Sequence, residues 1–120
     1  MATAAALLML AAATAPPVAL TCPAIEGETL VYVAVFDGPP EQKSDLAPEE
    51  HEASGKVWNT WDLEADTDGL FVQCGYGKKL EGPYSRMETI RLPDTVKACR
   101  VDFKPGPGPT DLTLQKFSCR

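Results

Sequence analysis

KACRVDFKPGPGPTDLTLQKFSCR, Lys97–Arg120, carries the clearest signature of the fold. The Pro105–Thr110 tract must turn, because its prolines remove ladder donors and its glycines permit reversal. Before the turn, Cys99, Val101 and Phe103 alternate with Arg100 and Asp102, which gives one core face and one wet face. After it, Leu112 and Leu114 share one parity while Phe117 and Cys119 share the other, a mismatch that a bulge near Gln115 removes. Folded about Pro109, the two segments set Cys99 opposite Cys119, each ten residues from the pivot. Opposed residues at a non-hydrogen-bonded position of an antiparallel pair are close enough to bridge.

That hairpin organises the remaining cysteines. Cys22 and Cys74 are the other two, and no cysteine lies in the C-x-x-C spacing of redox or zinc sites. Four cysteines allow three connectivities. The hairpin favours Cys99–Cys119, with Cys22–Cys74 tying the start of the domain to a central strand. Loop-closure entropy assigns roughly 3 kcal/mol to the shorter closure and roughly 4 kcal/mol to the longer. In a domain of this size that is much of the net stability.

An even cysteine count at wide spacing places the chain in an oxidising compartment, and the N-terminus agrees. Residues 1–20, MATAAALLMLAAATAPPVAL, contain no charge and are mostly Ala and Leu. The apolar core Ala4–Ala13 is too short to span a bilayer and suits the h-region of a secretory signal, with small-x-small sites ending at Ala13 or Ala15. The expected organisation is a signal at 1–20 and one domain at 21–120. Ala19-Leu20-Thr21 lacks the small residue that precedes a lipid-modified cysteine, so the mature form is expected to be freely soluble and periplasmic or secreted.

Outside the hairpin, short β-rich runs alternate with turn residues. Strands are expected at Leu30–Phe36, Val57–Leu63, Leu70–Tyr76, Met87–Leu92, Lys97–Phe103 and Leu112–Cys119. Asp-Gly before Leu70 reads as a hairpin joining the second and third of these. The fold class is therefore mainly β: a small antiparallel sheet or half-barrel of about six strands, meander-like, with two disulfides. A long acidic loop, 39–56, interrupts it and holds at most a short helix, with Leu46 tucked onto the sheet.

Charge is uneven along the chain. Asp37 to Asp68 carries ten acids against Lys43 and Lys56, whereas the chain from Gly69 on has nine basic and five acidic residues, and the whole has a net charge of −6. An acidic protein repels phosphate backbones, so nucleic acid is not an expected partner. The acidic half can steer a basic protein.

Catalytic groupings are scarce. His51 is the only histidine; it lies in EEHE and reads as a solvated loop residue without the oriented partner that a general base needs. Glu64, Asp66 and Asp68 alternate before Gly69 in the manner of a calcium loop. The twelfth position, however, is Gly75, where such a loop needs a bidentate acid. The GYGKK tract, Gly75–Lys79, lacks the spacing of a phosphate loop and reads as a tight turn. No catalytic residue, metal or cofactor is assigned, and an enzyme is not expected. The candidate partner-binding residues are aromatic side chains off the main core face, Trp58 and Phe71, together with Tyr84, Ser85 and Arg86 of the turn GPYSR. The segment 39–56 is expected to cover Trp58 and Phe71.

Phe36-Asp37-Gly38-Pro39-Pro40, Leu46-Ala47-Pro48, Trp61-Asp62-Leu63, Cys74-Gly75-Tyr76, Leu92-Pro93, Val96-Lys97-Ala98-Cys99 and the terminal Cys119 together resemble a family of small exported bacterial proteins of unknown function. That resemblance implies a periplasmic or secreted address and no established activity. The chain is more loosely similar to periplasmic lysozyme inhibitors, small disulfide-bonded β-barrels that push a loop bearing serine and tyrosine into the enzyme's cleft. Gly82–Arg86 is the comparable loop. The expected function is a non-catalytic periplasmic or envelope binding module, a monomer with a protein or envelope partner, or alternatively an inhibitor of a lysozyme-like cell-wall hydrolase.

Overall fold

The computed structural model describes residues 16–64, 69–108 and 111–120. The proposed signal up to Ala15, the Ala65–Asp68 part of the expected Asp-Gly turn, and the Pro109–Thr110 pivot lie outside the described residues. Among the described residues there are seven strands: β1 Leu30–Asp37, β2 Glu49–Ala53, β3 Lys56–Asp62, β4 Leu70–Gly77, β5 Tyr84–Arg91, β6 Ala98–Pro105 and β7 Leu112–Cys119. All pairings between them are antiparallel. Among the described residues the only helical element is the single 3-10 turn Pro40–Gln42.

The strands form two sheets, β1-β4-β5 and β2-β3-β6-β7. This corrects the meander. β3 pairs with β6, and β4 crosses to pair with β1 and β5, so no hairpin joins β3 to β4. The physical reason is burial. Val33 and Val35 of β1, and Leu70, Val72, Cys74 and Tyr76 of β4, face Trp61, Val101, Phe103 and Phe117 of the other sheet in one core cluster. Two sheets each lose an apolar face to water unless they close on one another.

The seventh strand, β2, lies inside the segment read as an acidic loop. Glu49–Ala53 shows no apolar alternation because it is the edge strand of its sheet and is wet on both sides; four of its five residues are exposed. Its charges also protect an open edge from pairing with other chains. It turns into β3 through Ser54 and Gly55, both at positive φ (52° and 74°), the geometry that makes two-residue hairpins follow the strand twist.

Two peptide segments close the remaining edges. On one side Leu46 N–H donates to Val35 O (2.8 Å) and Asp37 N–H to Ser44 O (3.0 Å), which covers β1. Leu46 O in turn accepts from the Trp61 indole (3.0 Å), linking the sheets. On the other side Pro17–Thr21 spans from β5 to β7: Arg91 N–H donates to Pro17 O (2.9 Å), Ala19 N–H to Arg91 O (3.1 Å) and Cys119 N–H to Leu20 O (2.8 Å). The two disulfides are Cys22–Cys74 and Cys99–Cys119, as the hairpin argument expects. The bulge also falls where the sequence puts it: Asp102 pairs with Lys116 and Phe103 with Leu114, leaving Gln115 unmatched.

Candidate partner-binding surface

On β3, Trp61 points into the core and Trp58 points out, because the two are three positions apart on a strand whose side chains alternate. Register then decides what surrounds Trp58. β2 places His51 directly across from it, and β6 places Asp102 across on the other flank with Arg100 diagonal to it. The His51 and Trp58 rings are stacked, 5.2 Å between centroids and 10° between planes. The Arg100 guanidinium carbon lies 5.0 Å from the Trp58 ring.

Each neighbour is itself held. His51 Nε2 is 2.9 Å from Thr60 Oγ1, and Arg100 donates from Nε and Nη2 to Asp102 Oδ1 at 3.0 and 2.8 Å. The solvated loop reading of His51 is thus corrected: its segment forms a strand, and its ring has an aromatic partner. Beside this cluster lies a depression of about 430 Å³ lined by Trp58, Arg100, Ser118 and Arg120 among others.

The outer face of the three-stranded sheet has a second aromatic group. Tyr32 and Tyr84 lie 5.3 Å apart, centroid to centroid. A Cβ at Gly75 would stand only 3.1 Å from Tyr32 and 3.2 Å from the Tyr84 ring, so glycine is what lets both rings settle over β4. The Tyr84 hydroxyl donates to Leu80 O, and Ser85, unmatched in a bulge, donates to Glu28 Oε2 at 2.7 Å. Arg86 pairs with Glu88. The polar tips of GPYSR are therefore engaged within the domain.

Burial pushes the Tyr84 phenol above its ordinary value, with Tyr32 and Glu81 adding to the shift. Tyr32 is raised by burial and by Asp45. Tyr76, whose hydroxyl donates to Pro23 O inside the core, is raised by burial and by Glu88, with Arg86 opposing.

Of the five candidate contact residues, Tyr84, Ser85 and Arg86 share β5, while Trp58 belongs to the other sheet. Phe71 is buried, and the Pro40–Gln42 turn packs on its strand. For Trp58 the segment 39–56 supplies a flank, His51. No cluster of His, Cys, Asp and Glu suited to a metal ion occurs among the described residues, and no helix among them is long and apolar enough to cross a membrane.

The family model for the type VI secretion system Tli immunity protein matches residues 25–120. The chain belongs to this family. The Tli match runs from just after Cys22 to the last residue, so it covers both sheets and both aromatic faces. Comparison with curated proteins and with solved structures gave no match. The expected membership of a small bacterial family holds in that coarse form, and the family is one of immunity proteins.

Sequence reasoning missed His51, Thr60 and Arg100 as neighbours of Trp58. The outward parity of Trp58 and Arg100 was legible in their strands. Their proximity needed the β3–β6 register, and that pairing joins segments about forty residues apart.

Proposed function

We propose that this chain is a periplasmic immunity protein: it binds an effector of a type VI secretion system and neutralises it, protecting the cell that makes it. The family match over 25–120 is the observation that carries this reading. It favours the inhibitor alternative over an unspecified binding module. Two buried disulfides suit an oxidising compartment. The polar groups of Tyr84, Ser85 and Arg86 are committed to structural hydrogen bonds or an ion pair, which suits neutralisation by contact rather than by chemistry.

The mode of the lysozyme inhibitors, a serine and tyrosine loop inserted into a cleft, gains no support, because Tyr84 and Ser85 bond to Leu80 and Glu28. Neutralisation by a sheet face agrees better with where the free aromatic surface lies.

The test is a co-culture. A strain lacking this gene is mixed with its parent carrying an active type VI system, and with a parent whose system is disabled. The deletion strain is expected to lose viability only against the active attacker, and an exported copy of this chain is expected to restore it. Equal survival of deletion strain and parent would refute the immunity reading. Release of peptidoglycan fragments from dying cells would assign the effector to the lysozyme-like class; intact peptidoglycan would exclude that class.

A further inference from the structure

We propose that the effector docks on the outer face of β2-β3-β6-β7, with Trp58 as the central anchor and oppositely charged sheet edges fixing its orientation. This rests on the immunity reading above and names the surface and the partner chemistry.

The core does not explain Trp58. The buried cluster is filled by Trp61 and its neighbours, and Trp58 is not a member. Yet Trp58 is held from two sides, since β2 and β6 flank β3 and deliver His51 and Arg100 to it. A part-exposed tryptophan already fixed by a stacked ring and a guanidinium loses little freedom on binding, which favours it as an anchor. Tryptophan and arginine are also the residues over-represented among those that dominate interface energies.

Charge defines the occupant. At the β2 edge, Glu49 is exposed on the outward parity of His51, and Glu50 and Glu52 are exposed on the opposite parity of the same uncovered edge strand. At the opposite side, Lys104 and Lys116 share the outward parity of Asp102, and Arg120 follows β7; all three are exposed and form no ion pair among the described residues. Asp102, the outward acid between them, is already committed to Arg100. The rim of the sheet is thus acidic along the β2 edge, with Glu49 on the docking face itself, basic at β6–β7, and aromatic between. The complementary partner is a protein face with an apolar side chain at its centre, a basic segment over β2 and an acidic segment over β6–β7. The depression beside Trp58, Arg100 and Ser118 takes one partner side chain. The expectation of a basic partner is therefore refined to a bipolar one.

The experiment returns variants of the full exported chain to the deletion strain under a titratable promoter, with the type VI-active parent as the probe. Abundance is followed by immunoblot. Trp58→Ala and Lys116→Glu are expected to need at least about 10-fold more protein for half-protection, in line with the loss on truncating an interface anchor. Met87→Ser, on the exposed outer face of the other sheet, is expected to protect like wild type. Lys116 lies outside the core, so Lys116→Glu tests the face even if Trp58→Ala lowers abundance. If wild type protects and Lys116→Glu and Trp58→Ala protect equally well at equal abundance, the docking face is wrong and the immunity reading stands. If wild type itself fails to protect, the immunity reading falls, and this proposal with it.

Discussion

Cys99 and Cys119 face each other across β6 and β7 with their Cα atoms 4.0 Å apart, in register as direct partners. Cys22 and Cys74, 5.9 Å apart between Cα atoms, instead tie the segment before β1 to the centre of the three-stranded sheet. The sequence separations are 20 and 52, so closure entropy ranks the second bond higher, about 4 against about 3 kcal/mol. Replacing each pair by alanine should lower the thermal midpoint in that order, with the Cys22/Cys74 variant the less stable. Equal midpoints, or the reverse order, would show that closure entropy does not set the ranking.

The Cys99–Cys119 bridge was readable because a hairpin is local: one turn tract and one parity rule place every residue of it. β6 was readable for a related reason, since its burial alternates between core and solvent, whereas β1 and β4 were readable as short apolar runs bounded by turn residues. What the sequence could not supply was the assignment of strands to sheets. Asp-Gly before Leu70 carries a hairpin signal, yet the chain crosses there from one sheet to the other, because β3 and β4 each gain more by facing the shared core. β2 was hidden for the opposite reason: an edge strand that buries nothing has no hydrophobic pattern to read. The Trp58 surface was half legible, its outward direction from parity but its His51 and Arg100 flanks only from register.

Gly75 sits under two rings, and its substitution should be felt although its backbone is ordinary strand. A methyl group there would meet Tyr32 at 3.1 Å and Tyr84 at 3.2 Å, tighter than most contacts in proteins. Overpacking of this kind costs about 1–3 kcal/mol, partly offset by about 0.5–1 kcal/mol for replacing glycine inside a strand. Gly75→Ala is expected to destabilise by about 1 kcal/mol in denaturant titrations. In a Tyr84→Ala background the penalty should shrink, because one of the two rings is gone. A penalty unchanged in that background would mean that ring crowding is not its source.

The three tyrosines should titrate late. All are raised by burial above the ordinary phenol value, and Tyr76, only 1 % exposed, is the most enclosed. A phenol whose folded pKa is raised favours its neutral form, so the stability it contributes is intact below the unfolded value of about 10. That contribution is lost as pH rises through the folded value. Phenolate absorbance is expected to lag behind free tyrosine, and its last third should appear together with loss of the near-ultraviolet dichroism. Complete titration at the free-tyrosine value with dichroism intact would contradict this.

Pro17–Thr21 bonds to an edge of each sheet, and this bears on where the proposed export processing would cut. Ala19 N–H and Arg91 N–H are paired between the segment and β5, Cys119 N–H is satisfied by Leu20 O, and the Thr21 hydroxyl donates to Phe117 O at 2.7 Å. A cut at residue 20, the boundary first read from composition, would strip three of these four bonds and leave the amide of the buried Cys119 without its acceptor. A buried donor left unmatched costs about 1–3 kcal/mol. Cleavage after Ala13 or Ala15 keeps the whole segment. Intact-mass measurement of the exported protein is therefore expected to show a chain beginning at Thr14 or Pro16. A truncation beginning at Thr21 should unfold at lower denaturant concentration by about that same 1–3 kcal/mol. A mature chain that begins at Thr21 and matches the longer form in stability would show that the segment is dispensable.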